Sequence, residues 1–162
     1  MSFRKSYVLP LLLSGFFFCL DQGLKYIAHS QQAFSWYIVK PWLGWEYFAN
    51  PGIAFSVPFP NAALVIGTPL VLVGLLVYMG RHKSPSTLQV YGAMLIFLGA
   101  ISNLIDRMLF QITIDYIRVI TSVMNIADIM IIVGTLFIIF GNRSQKALDL
   151  DKSPDITYTA DT

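Results

Sequence analysis

The stretch AALVIGTPLVLVGLLVYM, residues 62–79, contains no charged side chain and decides the fold class. Its length is close to the roughly 20 residues that an α-helix needs to cross about 30 Å of hydrocarbon. Three other apolar stretches of similar length accompany it, at residues 8–28, 88–105 and 123–140. Because the bilayer core offers no water to backbone N–H and C=O groups, each stretch is predicted to be helical. The sequence therefore predicts an all-α membrane protein with four transmembrane helices.

The composition excludes several other classes of protein. The chain is 56% hydrophobic and only 12% charged, which is too apolar to cover a soluble domain of 162 residues. Its formal net charge of +2 and its scattered basic residues argue against nucleic-acid binding. A single cysteine, Cys19, rules out an intrachain disulfide.

The positions of Lys and Arg predict the orientation in the membrane. Seven lie before the first stretch, between the second and third, or after the fourth, and three lie in the other connections. The first group is Arg4, Lys5, Arg81, Lys83, Arg143, Lys146 and Lys152, and the second is Lys40, Arg107 and Arg118. This excess predicts that both termini are cytoplasmic. Residues 1–142 are then predicted to form one membrane domain, and residues 143–162 a disordered cytoplasmic tail.

The long outer segment, residues 29–61, is rich in aromatic side chains and carries prolines and glycines. Amphipathic rings are favoured at the level of the lipid headgroups, so this segment is predicted to lie half-buried at the outer interface. Residues 34–39 and 45–48 are candidates for short strands. The outer segment is therefore predicted to be partly β.

Acidic residues provide the main indication of a functional site. The first 142 residues contain five, of which four lie inside or at the ends of apolar segments: Asp21, Asp106, Asp115 and Asp128. A charged Asp at the middle of a bilayer helix costs about 2.5–3.5 kcal/mol, so each is a functional-site hypothesis. In the predicted orientation, all four lie toward the outer leaflet.

Two of these acids have charged neighbours along the chain. Asp21 and Lys25 are spaced i, i+4, so they share a helix face and can neutralise each other in low dielectric. Asp106 has Arg107 beside it and Asn103 three residues before it, which predicts a locally compensated carboxylate. An interfacial salt-bridge cluster is the alternative interpretation of Asp106.

Asp115 and Asp128 have no cation at i, i+4, and the intervening residues 116–127 can bring one acid back over the other. Two carboxylates close together in a desolvated site cannot both ionise easily, so one stays protonated while the other acts as a base. Such a pair can activate water against a peptide carbonyl without a metal. His29 and His82 are isolated and form no spaced ligand set, so no metal site is predicted.

Five motifs, in this order along the chain, resemble the lipoprotein signal peptidases, also called signal peptidase II. They are Asp21-Gln22-Gly23-Leu24-Lys25, residues 50–56, residues 99–107, Ile114-Asp115-Tyr116-Ile117 and Asn125-Ile126-Ala127-Asp128. The resemblance covers roughly residues 8–142. One departure from the family pattern is Ser102, which stands where the family usually has Gly before Asn103.

The resemblance implies an aspartic endopeptidase of the bacterial cytoplasmic (inner) membrane, with its active site toward the outer face. It would remove the signal peptide of diacylglyceryl-modified prolipoproteins, cutting just before the lipid-modified cysteine. Asp115 and Asp128 would be the catalytic pair, and no cofactor would be needed. Substrate-binding or supporting roles would fall to Asn50, Gly52, Asn103, Asp106, Arg107, Asn125, Asp21 and Lys25. Residues 29–60 would clasp the substrate, and we expect a monomer that contacts membrane lipids and no nucleic acid.

Two other classes of protein are weighed against this interpretation. A small proton-coupled transporter also carries intramembrane Asp and Lys. A transporter of this kind would carry polar residues along the length of its helices. In the second stretch, however, Thr68 is the only polar side chain before Tyr78. A non-catalytic membrane scaffold would not require four carboxylates at one depth in the membrane. The peptidase hypothesis is therefore preferred.

Overall fold

A computed structural model describes the backbone of residues 5–53, 57–82 and 85–151, and the side chains of residues 7–53, 57–82 and 85–142. Within these ranges, four helices and four short strands follow one another along the chain. They are α1 (Lys5–Ser30), β1 (Ser35–Val39), β2 (Leu43–Asn50), α2 (Asn61–Arg81), α3 (Thr87–Phe110), β3 (Thr113–Val119), β4 (Ser122–Met124) and α4 (Ile126–Asp151). The architecture is mostly helical, with a small sheet.

Three helices in the described part of the chain are long and apolar enough to cross a membrane. These are α1 from Tyr7 to Ser30, α2 and α3. The apolar part of α4, Ile126–Asn142, is shorter. The three candidate membrane helices agree with the first three predicted stretches.

The four strands form one antiparallel sheet in the order β1-β2-β3-β4. The predicted strands at residues 34–39 and 45–48 are confirmed as β1 and part of β2. Strand β3 pairs with β2 so that Phe48 lies opposite Asp115 and Asn50 lies opposite Thr113. The sheet thereby joins the segment after α1 to the segment after α3, and it brings Asn50 close to Asp115.

The fourth predicted stretch differs from the structure at both ends. Val123 and Met124 belong to β4, where they pair with Arg118 and Ile117, so the helix begins only at Ile126. At the other end, α4 continues to Asp151, past the predicted end of the stretch at residue 140 and into the predicted tail. Residues 152–162 of that tail lie outside the described residues.

Helices α3 and α4 approach each other so closely that their backbones touch. A Cβ added to Gly92 would lie 2.5 Å from the carbonyl oxygen of Gly134, and one added to Gly134 would lie 2.6 Å from that of Gly92. Glycine at both positions permits this contact, as is common between membrane helices. The close approach places Asn103 of α3 beside Asp128 of α4.

A small core beneath the sheet fixes the sheet against α1. Its buried members are Ala28 of α1 with Ile114 and Tyr116 of β3. Leu24 and Trp45 are among the half-buried side chains that pack around them. Because this core lies next to the acidic residues, it also supports the candidate site.

Candidate active site

Asp115 and Asp128, here called the acid pair, are held by three asparagine side chains. The Asn50 Nδ2 group donates to Asp115 Oδ2 at 2.9 Å, and Asn125 Nδ2 donates to Asp115 Oδ1 at 2.7 Å. Asn103 Nδ2 donates to Asp128 Oδ1 at 2.8 Å. Asn125 Nδ2 also lies 3.1 Å from Asn103 Oδ1, so the amides connect the two carboxylates. The structure therefore brings together the two acids that lacked a local cation in the sequence.

The position of Asp128 follows from the start of α4. Asn125 Oδ1 accepts from the Asp128 N–H at 2.9 Å, and Asp128 Oδ2 accepts from the Asn125 N–H at 3.3 Å. These reciprocal bonds form a capping box, which satisfies backbone N–H groups that have no partner within the helix. A negative charge in the first turn also complements the helix dipole. Asp128 is thus fixed by the same contacts that begin the helix.

Burial raises the pKa of Asp115 from 3.8 to about 7, and the charge of Asp128 acts in the same direction. Hydrogen bonds from Asn50 and Asn125 favour the ionised form and limit the increase. The Asp115 carboxyl therefore changes its protonation state near neutral pH. A group with this property suits general acid–base catalysis.

Lys25 lies beneath the acid pair and is shared by two carboxylates. Its Nζ atom is 2.9 Å from Asp21 Oδ2 and 2.9 Å from Asp106 Oδ2, and only 2% of the side chain is exposed. Lys25 also donates to Asn103 Oδ1 at 2.8 Å. The predicted contact between Asp21 and Lys25 is present, but the pair is not isolated. The expectation that Asp106 is compensated by its chain neighbours is wrong, because its cation is Lys25.

Asp106 and Arg107 point to different parts of the site. Asp106 Oδ2 accepts from the Ile114 N–H at 3.1 Å, which fixes the start of β3 one residue before Asp115. Arg107 donates instead to the Gly52 carbonyl at 3.0 Å. Both contacts attach α3 to the outer elements.

Gly52 shapes the turn that presents Asn50. Its N–H donates to Asn50 Oδ1 at 3.0 Å, and an added Cβ would lie 2.1 Å from the Val57 carbonyl oxygen. No larger residue fits this turn without moving the backbone. Gly52 therefore orients the amide that contacts Asp115.

Two hydroxyl groups in this region were not singled out as site residues from the sequence. Ser102 Oγ donates to Asp21 Oδ2 at 2.5 Å and accepts from Lys25 at 3.2 Å. The Tyr116 hydroxyl donates to Asp21 Oδ1 at 2.8 Å. Both lie next to predicted site residues, Asn103 and Asp115, and Ser102 also departs from the family pattern. Their contacts join residues far apart in sequence, so the sequence did not predict them.

A cavity of about 300 Å³ opens beside Asp128. Its polar lining consists of Asn50, Asn103, Arg107, Ser122 and Asp128, and its other lining residues are Ile53, Leu64, Val123, Met124, Ile131 and Ile132. Polar and apolar walls therefore meet at one carboxylate. Among the residues that the structure describes, no three His, Cys, Asp or Glu side chains form a group that could hold a metal ion.

Two solved structures share this architecture. One is a bacterial membrane enzyme determined by the in meso method at 2.3 Å resolution, with a TM-score of 0.78 and 23% identity over 90% of this chain and 92% of the other. The second, determined by the same method at 1.9 Å resolution, has a TM-score of 0.71 and 24% identity over 82% and 90% of the two chains. The chain thus has the fold of bacterial membrane enzymes.

Sequence comparison identifies the family. The family model described as Signal peptidase (SPase) II matches residues 13–142. A lipoprotein signal peptidase of Bartonella henselae is 34% identical over 147 residues, covering 84% of this chain and 89% of the relative. Another, from Caldanaerobacter subterraneus, is 30% identical over 135 residues, covering 80% and 92%. The chain belongs to the signal peptidase II family and is a membrane protease; the comparisons do not support the transporter alternative.

Proposed function

We propose that this protease removes signal peptides from lipid-modified prolipoproteins, with Asp115 and Asp128 as its catalytic residues. The observation that carries the proposal is the acid pair itself: two carboxylates joined through shared asparagines, one of them lining a cavity with both polar and apolar walls. The names of the curated relatives support the substrate class.

In the proposed reaction, a water molecule at the acid pair attacks the scissile carbonyl carbon. The ionised carboxylate accepts a proton from the water, and the protonated carboxyl donates a proton to the leaving amine. Because the charge of each carboxylate affects the protonation of the other, neither role is assigned to one residue alone. Asn50, Asn103 and Asn125 hold the carboxylates in place, since each donates to one of them.

Substrate binding is proposed to use both walls of the cavity. Asn103 and Arg107 offer side-chain donors to peptide carbonyl groups, and Leu64, Ile131 and Ile132 offer apolar contacts. A diacylglyceryl group on the substrate cysteine would remain among the lipids while the peptide enters the cavity. This arrangement favours cleavage just before the modified cysteine.

We further propose that all four helices of residues 1–142 span the bacterial cytoplasmic (inner) membrane as one domain and act as a monomer. The exposure of α2 supports a lipid environment, because Leu72 is its only buried residue among those described, whereas Leu70 and Val71 are each 67% exposed. The site lies where α1 and α3 end and α4 begins, in agreement with alternating helix directions. The excess of basic residues at the opposite ends supports cytoplasmic termini and an outer-facing site.

The test is cleavage of a defined substrate by the purified full-length protein. The enzyme is incubated with a diacylglyceryl-modified prolipoprotein, and the products are identified by gel shift and mass spectrometry. We expect a released signal peptide and a product that begins at the modified cysteine. Cleavage at another position, or no cleavage by folded protein, would contradict the proposed function.

A further inference from the structure

Tyr116 lies beside the candidate site, in the core next to it, and takes no part in the chemistry described above. Its side chain is fully buried, and it immediately follows Asp115 in β3. The hydroxyl donates to Asp21 Oδ1 at 2.8 Å and accepts from the Ile126 N–H at 3.2 Å. Asp21 Oδ1 also accepts from the Ala127 N–H at 3.2 Å. The Tyr116 hydroxyl and Asp21 Oδ1 therefore connect β3, next to Asp115, with Ile126 and Ala127, the two residues that precede Asp128.

The ring of Tyr116 is held independently of its hydroxyl. It packs with Ala28 and Ile114 in the core beneath the sheet, and its centroid is 5.0 Å from that of Trp45. Successive side chains of a strand point to opposite faces, so Tyr116 points away from the side that Asp115 occupies. It is not among the residues that line the cavity beside Asp128. Any influence of its hydroxyl on cleavage must therefore pass through other groups.

The hydroxyl is protonated at neutral pH. Burial raises the pKa of Tyr116, and the negative charge of Asp21 raises it further. A protonated phenol both donates to a carboxylate and accepts from a backbone N–H. The connection between β3 and α4 therefore persists on both sides of the pH near which Asp115 titrates.

We propose that Tyr116 is a positioning residue: its hydroxyl, acting with Asp21, sets the separation of Asp115 and Asp128 by tying β3 to the first turn of α4. This inference rests on the proposed function, in which those two carboxylates perform the cleavage. A small displacement of either carboxylate lowers the rate of the chemical step, because catalysis depends on the alignment of the reacting groups.

The direct test is Tyr116→Phe, which removes the hydroxyl and keeps the ring. We expect kcat for a lipid-modified prolipoprotein to fall about tenfold or more, with KM changed less than about twofold. Rates are measured per folded enzyme, well below the variant's own melting temperature, so that loss of stability does not enter. Tyr26→Phe is the matched control, because Tyr26 lies on α1 and is 76% exposed; its kcat should equal that of the wild type.

A second pair of variants tests the same connection without altering the ring. Ile126 is the first residue of α4, a position where proline is well tolerated. Ile126→Pro removes the N–H that donates to Tyr116, whereas Ile126→Ala keeps the N–H and removes the side chain. We expect kcat to be several-fold lower for Ile126→Pro than for Ile126→Ala. This pair decides the question if Tyr116→Phe does not fold.

The outcomes separate this inference from the proposed function. Wild-type kcat in Tyr116→Phe, or a loss confined to melting temperature or KM, would overturn the positioning role. Equal kcat in the two Ile126 variants would overturn it as well. Asp115→Asn and Asp128→Asn are assayed in parallel: activity in either of these would instead refute the acid pair itself.

Discussion

Replacement of Lys25 by methionine tests the charge arrangement beneath the acid pair. The Nζ atom lies 2.9 Å from both Asp21 and Asp106, and the side chain is 2% exposed. Methionine has an apolar stem of similar length but no cation, so the two carboxylates would lose their common partner. Breaking a buried ion pair by removing one partner costs about 3–5 kcal/mol. We expect Lys25→Met to lower the free energy of unfolding by about this amount, and to reduce cleavage because Asn103 loses its contact with Lys25.

Asp21→Asn should be less destabilising than Lys25→Met, because Lys25 would keep Asp106 as its partner. The asparagine oxygen can still accept from the Tyr116 hydroxyl and the Ala127 N–H, so these connections remain. The new amide nitrogen would stand where Oδ2 now accepts from Ser102 and contacts Lys25. We therefore expect a loss of about 1.5–3 kcal/mol, the range for a hydrogen bond to a charged group. Adding Asp21→Asn to Lys25→Met removes one of the two unpaired charges, so the double variant should recover part of the loss.

The free energy of unfolding is measured in detergent for both single variants and the double variant, together with the cleavage rate. Lys40→Met is the control, because Lys40 is exposed on the connection between β1 and β2; its effect should stay within about 0.5 kcal/mol. Equal losses for Lys25→Met and Asp21→Asn, with strict additivity in the double variant, would refute the sharing of Lys25 between two carboxylates.

Three further predictions concern the chemistry. Asp115→Asn and Asp128→Asn should each abolish cleavage and retain the fold, because an amide has a similar shape but cannot exchange the required proton. Near-normal turnover of either variant in a gel-shift assay would exclude the substituted residue from the catalytic pair. A precursor without its lipid should be a poor substrate, because each buried acyl methylene contributes about 0.8 kcal/mol; equal rates with both precursors would show that the enzyme recognises the peptide alone. Burial, together with the charge of Asp128, raises the pKa of Asp115 to about 7, so its protonated form favours the folded state. Stability should therefore fall as pH rises from about 4 to about 7, by up to roughly 4 kcal/mol, and then level off. Melting temperatures from about pH 4 to about pH 8 should show a weaker dependence in Asp115→Asn, and an unchanged slope would contradict the raised pKa.

The sequence predicted those elements whose cause is local. Uninterrupted apolar runs predicted α2 and α3, and short stretches of the aromatic-rich outer segment predicted β1 and part of β2. Strand β4 was missed because Val123 and Met124 continue an apolar run, and such a run alone does not distinguish a strand from a helix. Asn125, a preferred residue at helix starts, was the available indication that the helix begins after it.

The candidate site was predictable only in part, for a similar reason. Acidic residues in apolar segments are costly enough to be recognised individually, so Asp115 and Asp128 were identified as a pair from the sequence. The contact of Lys25 with Asp106 joins two helices, and no spacing rule predicts it. The same holds for the Tyr116 hydroxyl, whose partners Asp21 and Ile126 depend on how β3 docks against α1 and α4.

The assembly of the acid pair from distant segments has a consequence for the order in which the proposed site forms. Asp115 depends on Asn50, which is 65 residues earlier, and Asp21 contacts the backbone of Ala127, which is 106 residues later. Contacts of such long sequence separation form late, since the intervening chain must first be ordered. A chain in which only the first helices have inserted therefore lacks the contacts that hold the acid pair. Because Asp128 lies in the first turn of α4, the proposed catalytic pair is complete only when α4 has joined the other helices.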